Sequence, residues 1–126
     1  MSFSLVSANN ISIEAPHKPF PHFAPGSDLT ITCRSTSANP PQSILWYKGS
    51  HPVTHNAVYN INTVMEHGLF NGFSTRSTLS LVLTEEEDEE EWLCALEGKG
   101  YINATFTTKI GQSSYIIENQ KCLFAI

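Results

Sequence analysis

The sequence predicts an all-β sandwich of two antiparallel sheets. Apolar residues alternate with polar ones over several short segments, and no stretch keeps apolar residues at i, i+3, i+4 and i+7 over three turns. Cys33, Trp46 and Cys94 each fall in the inward phase of a different alternating segment, 13 and 48 residues apart. With 126 residues, 40% of them hydrophobic, the chain makes one domain able to close a core. Its apolar runs are only a few residues long, so none of them can span a bilayer.

The elements follow in chain order. Ile11 and Ile13 alternate with polar residues, and Pro16, Pro19, Pro21 and Pro25 then prevent a central ladder, which predicts an edge strand followed by a loop. GSDLTITC from Gly26 sets Leu29, Ile31 and Cys33 on one face. SANPPQ, residues 37–42, is a turn, and ILWYK after it points Ile44 and Trp46 one way and Leu45 and Tyr47 the other. Residues 51–73 are weakly patterned, with extended pieces around Val58 to Val64. STLSLVL brings Leu79, Leu81 and Leu83 into phase, WLCALE does the same for Trp92, Cys94 and Leu96, and Ile102, Ala104 and Phe106 face inward from a last strand. Six strands with inward side chains are too many for one open sheet, so two sheets face each other, with Trp46, Trp92 and Leu81 in the core.

Charge narrows the function. The net charge is −5, but seven of the twelve acids form the run Glu85 to Glu91, and the other five are outnumbered by seven Lys and Arg. Such local acidity fits a solvated loop, with Asp88 packed at the corner beneath it, and does not fit a nucleic-acid binder. The run lacks the glycine turn and alternating ligands of a calcium loop. His51 and His55 are separated by Pro52, Val53 and Thr54, which favour an extended loop, so the pair does not converge on a metal. No nucleophile-elbow pattern and no GxGxxG or GxxxxGK[ST] phosphate loop occurs. The expectation is a non-enzyme with no cofactor and no metal.

Gly26, seven residues before Cys33, and Asp88, six before Cys94, complete a pattern with the Cys, Trp, Cys series. On these residues the chain resembles an immunoglobulin-superfamily domain over residues 8–110, of C2 or I type because the segment after Tyr47 shows no clear pair of extra strands. The text SANPPQSILWYKGSHPV, with STLSLVLTEEED, is similar to domains of nephrin-like and nectin-like adhesion receptors. The resemblance implies a Greek-key sandwich with one inter-sheet disulfide, Cys33 to Cys94, and the inward phase of both residues agrees. Closing a loop of about 60 residues stabilises the fold by roughly 4 kcal/mol. In this sequence Trp92 replaces the family's corner tyrosine, whose hydroxyl makes a structural hydrogen bond, and Glu90 replaces a small residue.

The resemblance also implies an extracellular or cell-surface recognition module that binds another protein, often a domain of its own kind. Two other readings share the sandwich: a secreted immune or decoy protein, and an intracellular structural domain that keeps its thiols reduced. The opening MSFSLVSANNISIEA has no basic n-region and no continuous apolar stretch, so no secretory leader is expected in it. Asn10 and Asn103 head sequons and are glycan acceptors in a secreted chain. Cys122 is the odd cysteine, in an extension of residues 111–126 expected to be dispensable for folding. Strand alternation sends Leu45, Tyr47, Leu93 and Ala95 outward, with Tyr101 in the same phase, and Lys48, Glu97 and Lys99 form a polar rim. These residues are the expected protein-binding surface.

Overall fold

The computed structural model describes residues 10–16 and 22–111. Cys122 and the rest of the segment 112–126 lie outside the described residues. Among the described residues eight strands form two four-stranded antiparallel sheets: β1 Ile11–Glu14, β2 Asp28–Ser35, β3 Ile44–Lys48, β4 His51–Val53, β5 Asn60–His67, β6 Phe73–Val82, β7 Glu91–Leu96 and β8 Lys99–Thr107. One sheet runs β1-β2-β6-β5 and the other β4-β3-β7-β8, so the chain changes sheet after β2, β4 and β6. This is the immunoglobulin-like sandwich.

Alternation builds it. In β2 the apolar residues Leu29, Ile31 and Cys33 are buried while Asp28 and Thr30 are exposed. In β6 Leu79 and Leu81 turn in from the neighbouring strand, at the registers Ile31↔Leu79 and Leu29↔Leu81. From the other sheet come Ile44, Trp46, Trp92, Cys94 and Leu96. The bridge between Cys33 and Cys94 joins β2 to β7 and closes 61 residues of chain.

Trp46 lies beside Cys94 in one sheet, and Ser77 lies beside Cys33 in the other. The Trp46 Nε1–H donates to Ser77 Oγ at 2.8 Å, crossing the centre of the sandwich, and Thr63 Oγ1 is 2.9 Å from the same hydroxyl. Ser77 is fully buried, so its hydroxyl satisfies an indole N–H that water cannot reach. The sequence pattern pointed to leucines alone on β6. The same inward phase in fact continues upstream through Ser77 and Thr75, both buried.

The strand count exceeds the expected six. β4 contains Pro52, which is tolerated because β4 is an edge strand paired only with β3. β5 extends through His67, beyond the pieces expected around Val58 to Val64, and pairs with β6 along its whole length. The proline-rich stretch before Gly26 is likewise more than a loop. Phe23 makes a parallel bridge to Ile110, with Phe23 N–H donating to Lys109 O at 2.7 Å and Gly111 N–H to Phe23 O at 2.8 Å.

The turn between β5 and β6 is unusual. Phe70 and Asn71 have φ of 56° and 59°, and for a residue as bulky as Phe this conformation costs about 1 to 3 kcal/mol. Gly68 and Gly72 let the turn close against the β2–β3 loop, because a Cβ at either position would collide with Ser37 Oγ. Ser37 in turn donates to Leu69 O at 2.8 Å.

Replacing Trp46 by Ala is expected to cost about 3 to 5 kcal/mol of folding free energy, because it removes a large core aromatic and its hydrogen bond to the buried Ser77 hydroxyl. Equilibrium denaturant unfolding measures this, and a loss below about 1 kcal/mol contradicts the central role given to the indole.

Candidate protein-binding face

The outer face of β4-β3-β7-β8 is built from residues that alternate away from the core. Register sets them in rows: Pro52, Tyr47, Leu93 and Thr105 form one, Leu45, Ala95 and Asn103 the next. Leu45 is exposed, and Tyr47 and Leu93, side by side in the first row, are half-buried. Tyr101 stands at the end of the face, 81% exposed, two residues before Asn103.

Two expected members of the surface are elsewhere. Ala95 points outward but is 2% exposed, since its larger cross-strand neighbours Leu45 and Asn103 flank and cover a side chain of one carbon. Lys48 does not join the rim. It shares the inward phase of Ile44 and Trp46, and its ammonium sits 3.0 Å from Glu87 Oε2 and 5.8 Å from the centre of the Trp92 ring.

Of the two sequons, Asn103 lies on this face, exposed, with Nδ2 donating to Gly100 O at 2.9 Å. Asn10 is exposed ahead of β1, in the opposite sheet, its Oδ1 accepting from the Ile11 N–H at 2.8 Å.

The opposite outer face, on β1-β2-β6-β5, has a different chemistry. Hydroxyls pair across strands, Thr30 with Ser80 and Thr32 with Thr78, each at 3.2 Å. Glu66 takes Arg34 at 3.0 Å and Arg76 at 3.4 Å, and Glu14 lies 3.9 Å from Arg34. Such exposed pairs contribute about 0 to 1 kcal/mol each. Their effect here is that most hydroxyls and charges of this face are paired with one another, while Arg76 Nε is left buried without a partner among the described residues and Val82 stands exposed at the end of β6.

The corner below the β4-β3-β7-β8 face holds the acidic run. Asp88, expected to be packed there, is exposed, although its Oδ1 accepts from the Ile110 N–H at 2.9 Å. The buried acid is Glu87, at 6% exposure. It ends a Thr84-Glu85-Glu86-Glu87 turn, where its Oε1 accepts from the Thr84 N–H at 2.6 Å and from the Thr84 hydroxyl at 2.8 Å. Threonine followed three residues later by glutamate is the signature that could have located it. The tyrosine's place is filled by a relay. Trp92 Nε1–H donates to Thr108 Oγ1 at 3.2 Å, and Thr108 Oγ1–H donates to Glu87 O at 2.6 Å. Trp92 and Thr108 are fully buried, so the indole reaches through a neighbouring hydroxyl the kind of backbone carbonyl that a phenol would bind directly.

Two alternating sheets, a β2–β7 disulfide and a buried tryptophan on β3 make up the frame of the domain. Residues 12–101 match the model of the CD80-like C2-set immunoglobulin domain. The chain belongs to that family. No match is found among curated proteins. Among solved structures this C2-set domain is similar to the one described as "Crystal Structure of Rst D1-D2", with a TM-score of 0.64 at 17% identity over 79% of the chain. The C2-set domain spans about half of that structure, 48% of its chain.

The Lys48–Glu87 pair makes the domain's stability depend on pH. Burial opposes the charge on Lys48, but the Glu87 hydrogen bond and charge outweigh it and hold the ammonium above its usual 10.5. Burial likewise opposes the charge on Glu87, and the Thr84 N–H, the Lys48 ammonium and the Thr84 hydroxyl outweigh it, keeping the carboxyl below its usual 4.5. For a carboxyl lowered by folding, the stabilisation is present above 4.5 and disappears as pH falls through the folded-state value; for the raised ammonium it is present below 10.5 and disappears as pH rises through the folded-state value. Stability is therefore expected to be flat in between with respect to this pair and to fall on either side. Glu87→Gln should cost about 1 to 3 kcal/mol at neutral pH and make the acid limb shallower, as read by thermal melts across pH. An acid limb of unchanged slope would show that the pair does not set it.

Proposed function

We propose that this C2-set domain is an extracellular recognition module of a cell-surface adhesion or signalling protein, that it binds another protein through the outer face of β4-β3-β7-β8, and that it performs no catalysis. The contrast between the two outer faces carries this reading. One face pairs its hydroxyls and charges with each other; the other presents Leu45, Tyr47 and Leu93 together, with Tyr101 at the end. An apolar cluster of this kind with a polar surround is a contact surface, because burying it against a partner recovers free energy that water denies it.

Membership of the C2-set family supports protein binding in general, and the Cys33–Cys94 bridge supports an oxidising compartment. The partner is a protein with a complementary apolar surface, and a second immunoglobulin-like domain has such a face by the same alternation. A glycan on Asn103 stands in the second row of the face and limits docking to the side bearing Tyr47 and Leu93. We assign the folded unit to residues 8–110, with residues 111–126 as an extension.

Tyr47→Asp and Leu93→Asp are each expected to abolish aggregation of cells displaying the chain, or its capture by receptor-bearing cells, with circular dichroism unchanged. Both variants binding like the unaltered chain would remove this face from consideration.

A further inference from the structure

We propose that the pole of the domain carrying the β2–β3 loop, the β5–β6 turn and the β7–β8 turn is a self-association surface, on which Phe70 of one copy enters a groove of a second copy. This surface is separate from the sheet face proposed above and does not rest on it.

Phe70 is 96% exposed and Leu69 70%, side by side at the tip of the β5–β6 turn. Phe70 also has positive φ, where glycine or asparagine sits with less strain. The phenyl ring therefore gives nothing to the fold: it buries no surface and it opposes the turn that displays it. The turn is nonetheless held firmly. Ser37 donates to Leu69 O, Gly68 N–H bonds to Gly72 O at 2.9 Å, and Ala38 and Phe73 exchange both backbone hydrogen bonds, at 3.0 and 2.8 Å. A braced aromatic in water has the form of an anchor residue, because its ordering cost is met before binding.

The groove lies on the same pole. It has a volume of about 450 Å³ and runs between the β2–β3 loop, where Ala38, Pro40 and Pro41 are joined by the polar Asn39, Gln42 and Ser43, and the β7–β8 turn, which adds Glu97 and Lys99. Ala38 belongs to both structures, since it braces the Phe70 turn and lines the groove. The Glu97 N–H donates to Ser43 O at 2.9 Å and fixes the two walls. Proline rings and an alanine methyl suit the face of a phenyl ring.

A second copy is the occupant that these features specify. A knob and a groove on one pole are self-complementary about a two-fold axis: the Phe70 ring of each copy fills the groove of the other, and both contacts form at once. Glu97 and Lys99 form no ion pair among the described residues, and a two-fold axis can set Glu97 of one copy against Lys99 of the other.

Sedimentation equilibrium of the full chain tests the proposal, on a Cys122→Ser background so that no thiol cross-link is counted. The unaltered pole is expected to give a dimer at concentrations up to about 1 mM, the range of small contacts. Phe70→Asn should weaken it at least about tenfold while the melting temperature holds or rises, since Asn accepts positive φ. Ser43→Arg, which fills the groove from an exposed position, should weaken it similarly and decides the matter if Phe70→Asn does not fold. Tyr47→Asp should leave the dimer intact. A monomer throughout this range, or a dimer that ignores Ser43→Arg or a folded Phe70→Asn, overturns the proposal. So does a dimer lost with Tyr47→Asp alone, which moves self-contact to the sheet face. A monomer that binds phosphatidylcholine vesicles through Phe70 also overturns it and assigns the finger to lipid.

Discussion

The hydrogen bond from the Trp46 indole to Ser77 crosses the middle of the sandwich, next to one half of the disulfide in each sheet. Two sheets stacked about 10 Å apart can slide, because apolar contact has no direction. The bond and the bridge remove that freedom at the same place. Once β3 is fixed over β6 and β7 over β2, the phase of every other strand follows, since a slip of one residue would turn a whole apolar set to water. The proposed contact face is a by-product of that constraint: Tyr47 and Leu93 face outward because Trp46 and Cys94 must face inward.

At the corner, charge is used where most of the core uses area. Glu87 is buried with four partners holding it: the Thr84 N–H and hydroxyl, the Lys48 ammonium, and through its own backbone carbonyl the Thr108 hydroxyl. Lys48 in turn lies near the Trp92 ring, whose N–H feeds Thr108. The corner is thus one connected network. It ties the start of β7 to the end of β8, and it gives Lys48, which alternation turns inward with Ile44 and Trp46, a charged partner there.

Legibility in the sequence followed the strength of the periodic signal. The leucines of β6, the Cys, Trp, Cys series and the outward placement of Leu45 and Tyr47 were all readable, because a period of two fixes facing without knowledge of the partner. Three kinds of feature were not. β4 was concealed by Pro52, whose cost vanishes only when the strand is known to be an edge. Ala95 was placed on the correct side but its burial depends on the sizes of Leu45 and Asn103, which only the register brings alongside. The conformation of Phe70 has no local signal, because it is set by the approach of Ser37 from a loop more than thirty residues away. Glu87 falls between these cases: its threonine was in plain view, but six other acids hid it.

The Cys33–Cys94 bond also divides the chain topologically. Residues 33–94 form a covalent ring that contains β3, β4, β5 and β6 whole, while β1 and β8 hang outside it as open ends. Peeling β8 from β7 therefore breaks hydrogen bonds and packing but meets no covalent restraint, whereas β3 cannot leave without carrying the ring. The proposed contact face straddles this boundary. Leu45, Tyr47 and Leu93 belong to the ring; Tyr101 and Asn103 belong to a free end. The apolar half of that face is thus locked in place while the half carrying the Asn103 sequon can open independently, so amide protons of the edge strand β8 should exchange with solvent before those of β3 and β7.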